Sequence, residues 1–426
     1  MSSSTHEKAV QIADQLRNAG HEVWFAGGCV RDRLLGREPK DWDIATSARP
    51  DEVQALFRRT IGVGKQFGVI VVLADDDAYE VATFRADGAY GDGRRPDEVR
   101  FTSAVEDVRR RDFTINGLLM DPSTGRVEDH VGGLADLEAR RIRCIGDARE
   151  RFHEDRLRIL RAVRFAARLG FELETETRAA IIALANEAAD PSPERIAGEL
   201  ERMLTEAAPG RAFWMLRDLE LLPVVLPEVA ARRQRGSEGR LALRGYDVAS
   251  SLDRAQALLD IAPIESPEVT WAVLADDLDS GFARARSRAA EVLMRRLRVS
   301  KRLAEDVAEL VLVRDRLLFA PSPSAARRAL CAAHANPSRL ATFRDLHLKV
   351  LSAEGDAREP LLPRALPPPL LRGPDLIAVG VPKGPPLGRW LRRLRFRQLN
   401  GNLSTADEAR SWLAIALRRG GEGRSS

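Results

Sequence analysis

Apolar positions recur every three to four residues over 6–19, which predicts an amphipathic helix. Over 21–26 the pattern changes to a short apolar run ending in Gly27-Gly28, as expected of a strand entering a turn. A second strand is predicted over 41–45. Pro50-Asp51 then opens a predicted helix that runs through Arg59, because Pro and Asp favour a first turn. Residues 69–73 and 80–84 are apolar and β-branched enough to pair as strands across a turn at Asp75-Asp76-Asp77. The stretch 6–145 therefore reads as a small α/β domain. From about 148 onward strand patterns almost vanish, and Ala, Leu and Arg at helical spacing run to the C-terminus. Breaks fall at 235–240, at Pro321 and Pro323, and at the proline-rich run 362–369, which resembles a linker before a last helical segment. No repeat of fixed period is visible.

Composition narrows this picture. At 426 residues the chain exceeds one ordinary core, since roughly 150 residues per domain suggest about three units. A hydrophobic share of 44% with 31% charged residues argues against a disordered or fibrous chain. No apolar run approaches the ~18 to 20 residues of a membrane span, and MSSSTHEKAV lacks an apolar leader core, so a soluble cytoplasmic protein without a membrane partner is expected. Cys29, Cys144 and Cys331 are far apart and lack CxxC spacing, which speaks against disulfides or zinc. The net charge of +4 does not by itself call for a nucleic-acid partner. Only six of the 67 basic residues are lysine, however, and arginine's planar fork suits phosphates and base edges. A GC-rich genome also favours arginine, so where the arginines cluster matters more than their number.

Three groups of residues carry candidate chemistry. Gly27-Gly28-Cys29-Val30-Arg31-Asp32-Arg33-Leu34-Leu35-Gly36 follows a strand and opens a helix, and adjacent glycines allow close approach to a phosphate near Arg31. The run fits neither the dinucleotide fingerprint nor the Walker loop. Asp41-Trp42-Asp43 follows on the predicted strand, where alternation would place Asp41 and Asp43 on one face and Trp42 on the other. Two carboxylates held together call for a cation such as Mg²⁺, which prefers oxygen ligands and substrate phosphates. Glu80 in Tyr79-Glu80-Val81-Ala82-Thr83-Phe84-Arg85 is a candidate third acid. Further on, Asp155 and Arg158 are three apart on a predicted helix and would share a face.

GGCVRDRLLG followed by DWDI resembles motif A of the class II tRNA nucleotidyltransferases and bacterial poly(A) polymerases, within the nucleotidyltransferases related to DNA polymerase beta. Arg110-Arg111-Asp112-Phe113-Thr114-Ile115-Asn116-Gly117 resembles motif B, with Gly117 where alanine is usual. Asp129 with Gly132-Gly133 and Asp136-Leu137 resembles motif C, Glu154-Asp155-Arg156-Leu157-Arg158 the EDxxR of motif D, and Glu194-Arg195-Ile196 motif E. The resemblance is strong over 21–230, faint through the middle, and returns near Gly373-Pro374-Asp375, Gly384-Pro385 and Gln398-Leu399-Asn400-Gly401.

The resemblance implies an α+β fold: a small β-sheet head over 1–145, then an all-α neck (146–230), body (231–360) and tail (361–426). It implies Mg²⁺-dependent, template-independent addition or repair of the 3′-terminal CCA of tRNA from CTP and ATP, with release of pyrophosphate. Asp41 and Asp43 would hold Mg²⁺, and Glu80 would help activate the RNA 3′-hydroxyl. Gly28 and Arg31 would contact the triphosphate, with Arg111 and Asp112 at triphosphate and ribose. Asp155 and Arg158 would read the base edge in place of a nucleic-acid template, and Arg161 and Arg164 extend that stripe toward the nucleotide. Glu194-Arg195 reads as support for this helix, since Ser192-Pro193-Glu194 looks like a helix start.

Other features bear on substrate choice. The stretch 86–97, rich in glycine and charge, matches the family's flexible loop, which is associated with AMP addition and disfavours CC-only activity. Arg389, Arg392, Arg393, Arg395 and Arg397, interleaved with Trp390 and Phe396, suit the backbone of a folded RNA. His6, His21, His130, His153, His334 and His347 do not form the His-Asp pairs of a second hydrolase domain and are expected to be surface or packing residues. The rival readings are an A-adding enzyme, a poly(A) polymerase, and a catalytically silent RNA-binding relative. Gln66, where the polymerase signature prefers a basic residue, argues against the second; the intact acids and arginines argue against the third.

Overall fold

In the computed structural model the described residues are 5–75, 77–87, 99–231, 251–276, 278, 283–318, 337–353 and 367–421. Asp76 of the expected turn, 88–97 of the expected loop, the breaks at 235–240, Pro321 and Pro323, the start of the proline run at 362–366, Asp277, Cys331 and His334 lie outside them.

The chain forms two units, Met1–Met203 with Met215–Val225, and Leu204–Trp214 with Leu226–Ser426. In the first, α1 (Thr5–Asn18) buries Ala9, Ile12, Ala13 and Leu16 on one face. Strand β1 (Val23–Ala26) is buried at every position, as a strand covered on both faces must be. Then come α2 (Gly28–Leu34), β2 (Ile44–Thr46), α3 (Pro50–Leu56), β3 (Thr60–Gly64), β4 (Val69–Ala74) and β5 (Asp77–Thr83). Helix α3 stops three residues earlier than expected, and the glycine-bearing, β-branched run after it pairs with β4 as an unanticipated strand. Short strands β6 (Arg85–Asp87) and β7 (Val99–Phe101) flank residues 88–98 and lead into α4 (Ala104–Arg109), capped by Ser103. Strands β8 (Leu118–Met120) and β9 (Val127–Asp129), also unanticipated, complete a mixed sheet in the order β3-β4-β5-β2-β1-β8-β9. Only the β2–β5 pairing within this sheet is parallel, and it aligns Ile44 with Val81.

Helix α5 (Gly133–Glu138) follows a loop in which Asp129 accepts the amides of Val131, Gly132, Gly133 and Leu134. A Cβ on Gly133 would lie 2.3 Å from the Thr114 carbonyl, so no side chain fits there. Strand β10 (Arg141–Ile142) leads to α6 (Ala148–Glu154) and α7 (Leu157–Leu169), which ends at Gly170 in the left-handed conformation. Strand β11 (Glu172–Leu173) pairs with β10 ahead of α8 (Thr175–Ala183) and α9 (Pro193–Thr205).

Among the described residues of the second unit every regular element is a helix. Helix Lys301–Leu318 packs on Ala283–Arg296, Pro267–Ala275 and Pro337–Ala353. Buried inside are Asp276, Arg314 and His347: the arginine donates to the Asp276 carboxylate, and His347 Nε2 lies 3.4 Å from it. A separate apolar cluster of Leu371, Leu376, Val381, Leu394, Leu403, Ala409 and Leu413 joins the last three helices, Gly373–Ala378, Pro385–Leu399 and Ala406–Gly421.

Candidate active site

The acids sit on the approach to β2 rather than on it, which corrects the expected strand placement of Asp41 and Asp43. The Ala26 amide still donates to the Asp43 carbonyl at 3.1 Å, so pairing with the end of β1 extends to Asp43. Trp42 points inward regardless, 2% exposed against Phe25 and His6 at ring distances of 4.7 and 4.4 Å. Asp41 is exposed, Asp43 half-buried. Because Ile44 aligns with Val81, exposed Glu80 stands one register step away, beside Asp43. Burial, then the negative charges of Glu80 and Asp41, push the Asp43 carboxyl up to about 6. Burial and the same Asp43 charge push the neighbouring Cys29 thiol up to about 12, which leaves it inert.

Gly27, with φ of 80°, turns the chain between Asp43 and Arg111. A Cβ there would lie 3.1 Å from Arg111 Nη1 and 3.7 Å from Asp43 Oδ2, so glycine lets acid, arginine and backbone converge. Gly28 opens α2, and the position of its absent Cβ lies 3.6 Å from Arg31 Nη2. Arg111 is held by Asp107, whose Oδ2 accepts Arg111 Nη2 at 3.0 Å and whose Oδ1 accepts Arg110 Nη2 at 2.7 Å. Burial opposes charge on Asp107, but Arg111 and Arg110 outweigh it and hold its carboxyl below the usual range. Sequence reading missed Asp107; its spacing of three and four before the two arginines is the available signal.

Arg31 is 2% exposed, donating to Asp32 Oδ1 at 2.8 Å and Asn116 Oδ1 at 2.6 Å. Asn116 Nδ2 donates onward to Asp112 Oδ1 at 3.1 Å, and Arg161 Nε donates to Asp112 Oδ2 at 2.9 Å. Burial works against the Asp112 charge, yet Arg161 and Asn116 prevail and bring its carboxyl to about 2. Arg164 is buried and donates to Glu199 of α9 at 2.6 Å.

The motif D residues do not share a continuous helix as expected. Helix α6 ends at Glu154, Asp155 is extended, and α7 starts at Leu157. Asp155 Oδ1 accepts the Leu157 amide at 3.1 Å, the local competition by which aspartate breaks a helix and starts the next. Asp155 is paired with Arg195 at 2.8 Å, not with Arg158. Arg158 instead pairs with Glu154 and donates to the carbonyls of Arg151 and Arg110 at 3.1 and 3.2 Å. Arg195 thus braces the acid from the first turn of α9, which begins at Pro193.

In the tail segment, Arg393 lies over Trp390 and Trp412 at 5.3 and 5.8 Å, Arg397 over Trp412 at 4.6 Å, and Arg395 donates to Gln398 at 2.7 Å. Arg389 is exposed and Arg392 half-buried. Among the described residues no group of three His, Cys, Asp or Glu side chains forms a ready-made metal cage, and no helix is long and apolar enough to cross a membrane. The hard oxygen donors at Asp43, with their surplus negative charge, nevertheless suit a divalent cation whose shell is completed by phosphates and water.

A family model described as the Poly A polymerase head domain matches residues 23–143, and one described as a probable RNA and SrmB-binding site of polymerase A matches 170–232. The chain is 47% identical over 227 residues to a CCA-adding enzyme of Geobacillus thermodenitrificans, covering 53% of this chain and 56% of that protein. It is 48% identical over 207 residues to a CCA-adding enzyme of Bacillus velezensis, covering 48% and 52%. The chain therefore spans about half the length of these curated relatives. Among solved structures, Bacillus stearothermophilus CCA-adding enzyme in complex with CTP is similar at a TM-score of 0.66 and 30% identity, over 99% of this chain and 100% of that one. Thermotoga maritima CCA-adding enzyme complexed with tRNA_CCA shares the fold at 0.57 and 18% identity, over 96% and 95%.

Proposed function

Because the chain belongs to the family of class II tRNA nucleotidyltransferases and bacterial poly(A) polymerases, we propose that it builds or repairs the 3′-terminal CCA of tRNA in the cytoplasm, using CTP and ATP and releasing pyrophosphate. The observation that carries this reading is the meeting of Asp43 and Arg111 across Gly27, with Glu80 alongside in register. An acid patch facing an arginine over a bare backbone suits a metal-bridged triphosphate.

Asp41 and Asp43 would hold Mg²⁺, which when bound neutralises charge on the phosphates and favours the ionised 3′-hydroxyl. Glu80 accepts the proton of that hydroxyl as its oxygen bonds to the α-phosphorus and the bond to pyrophosphate breaks. Arg111, steadied by Asp107, takes charge on the triphosphate, with Gly28 leaving the backbone bare and Arg31 behind it. Asp112, its plane fixed by Arg161, would accept the ribose hydroxyls in exchange for one of the donors it now holds, Phe113 and Asn116 on Oδ1 and Arg161 on Oδ2. Asp155 offers acceptors and Arg158 donors to the base edge, each braced from elsewhere, by Arg195 and by Glu154. Arg164 steadies that helix through Glu199. In the division into head (1–145), neck (146–230), body (231–360) and tail (361–426), the tail arginines Arg389, Arg392, Arg393, Arg395 and Arg397 grip the RNA backbone.

The test is product length at single-nucleotide resolution on one tRNA ending at the discriminator base, after C, and after CC, with Mg²⁺ and CTP, ATP or both. Stopping at CCA from all three starts is expected. Extension of the CC-ended RNA alone would replace the reading with A-addition, and a long adenosine ladder would replace it with poly(A) synthesis. An Asp41→Ala chain should bind RNA and transfer nothing; equal behaviour of mutant and wild type would remove the enzyme reading altogether.

A further inference from the structure

Phe165 of α7 is 6% exposed, and three guanidinium groups converge on its ring. The central carbons of Arg164, Arg31 and Arg161 lie 4.2, 5.3 and 5.5 Å from the ring centroid, and Phe113 meets it edge-on at 5.8 Å. The arginines are hydrogen-bonded to different partners: Arg31 to Asp32 and Asn116, Arg161 to Asp112, Arg164 to Glu199 of α9. An ion pair along one edge leaves a guanidinium's tilt about that edge soft; on the remaining Nη1, Arg31 meets Asn116 and Arg161 meets Glu199 at 4.0 Å, and the ring acts alongside those contacts. Three like charges drawn to one centre also repel, and the negative face of an aromatic ring offsets that repulsion where it is greatest.

We propose that Phe165 is a positioning residue: its ring sets the tilt of Arg31 and Arg161, so that the first is fixed behind the triphosphate and the second holds Asp112 at the ribose. This rests on the nucleotidyltransferase reading above. The ring links motif A, motif B and the motif D helix without touching the nucleotide, so its loss weakens nucleotide binding more than turnover. An aliphatic side chain would fill most of the volume but lacks the quadrupole.

The experiment places 4-fluoro-, 3,5-difluoro- and 3,4,5-trifluorophenylalanine at position 165, which drains the ring face with little change in shape. KM and kcat for CTP are measured on tRNA ending at the discriminator base, CTP affinity by calorimetry, and stability by thermal unfolding. KM and Kd for CTP should rise together with each fluorine, roughly threefold at first and about tenfold by the third, with kcat and melting temperature nearly constant. Phe165→Leu should reach at least the trifluoro value. A flat series with an active wild type overturns the role of Phe165 alone, even if Phe165→Leu is unstable, because a merely structural ring tolerates fluorine. A wild type that binds CTP without transferring it overturns the proposed reaction while the calorimetric series still decides the ring; a wild type that does not bind CTP overturns both.

Discussion

Asp43 in the first unit and Asp276 in the second are both shielded acids with arginines nearby, yet their balance of charge is opposite. Asp276 is 2% exposed and is matched by Arg314, with His347 Nε2 3.4 Å away. Among the described residues nothing donates a hydrogen bond to the Asp43 carboxylate, and burial, Glu80 and Asp41 outweigh Arg111 and Arg31 around it. Burial and an arginine do not therefore mark a site on their own. A local surplus of one sign, kept by the fold at a cost in stability, does.

The sharpest way to break this contrast is to remove each charge in turn. Asp43→Asn should abolish transfer, by a thousandfold or more on the magnitudes of lost phosphate-charge neutralisation. It should also stabilise the divalent-free protein. The folded carboxyl titrates near 6 against 3.8 when the chain is unfolded, so its contribution is fully present below the unfolded value and is lost as pH rises through about 6. Thermal unfolding in a chelator should place the variant above wild type at pH 8, and the gap should close by about pH 4. Arg314→Met should do the reverse, leaving transfer by folded molecules unchanged while urea unfolding shows a loss of about 3–5 kcal/mol from an uncompensated buried acid.

Smaller effects sharpen the comparison inside the first unit. Asp107→Asn keeps an acceptor but removes the charge that aligns Arg111, so steady-state KM for CTP and ATP should rise about tenfold with a smaller change in kcat. Smallest is the tail: Arg389→Ala with Arg392→Ala should lower the slope of log affinity for tRNA against log salt by about one to two, with transfer at saturating tRNA unchanged, in titrations from ~50 to ~200 mM salt.

The sheet head, the helical remainder and the ordered motifs were legible because each rests on local periodicity or on fixed spacing in a short stretch. Strands β8 and β9 were not, since three-residue strands carry too little alternation to register. The helix break at Asp155 was missed because a spacing of three reads as one face unless the aspartate's own carboxylate competes for the next amides. Asp107 and Phe165 act through convergence of distant segments, and nothing in linear order brings Arg31 to residue 165. His347 and Asp276 meet from distant parts of the chain for the same reason, which no motif in the divergent middle announced.

Gly117 stands where the resembling motif usually has alanine, and the space it leaves is already taken. A Cβ there would lie 2.8 Å from Val131 Cγ2, 3.1 Å from Ile145 Cδ1 and 3.2 Å from Val108 Cγ1. The consequence is historical as much as mechanical. Placing alanine at 117 in this chain should be harmful by itself and tolerated beside Val131→Ala, so the two positions form an epistatic pair: the order in which the two changes are made decides whether the path crosses a fitness valley or walks around it.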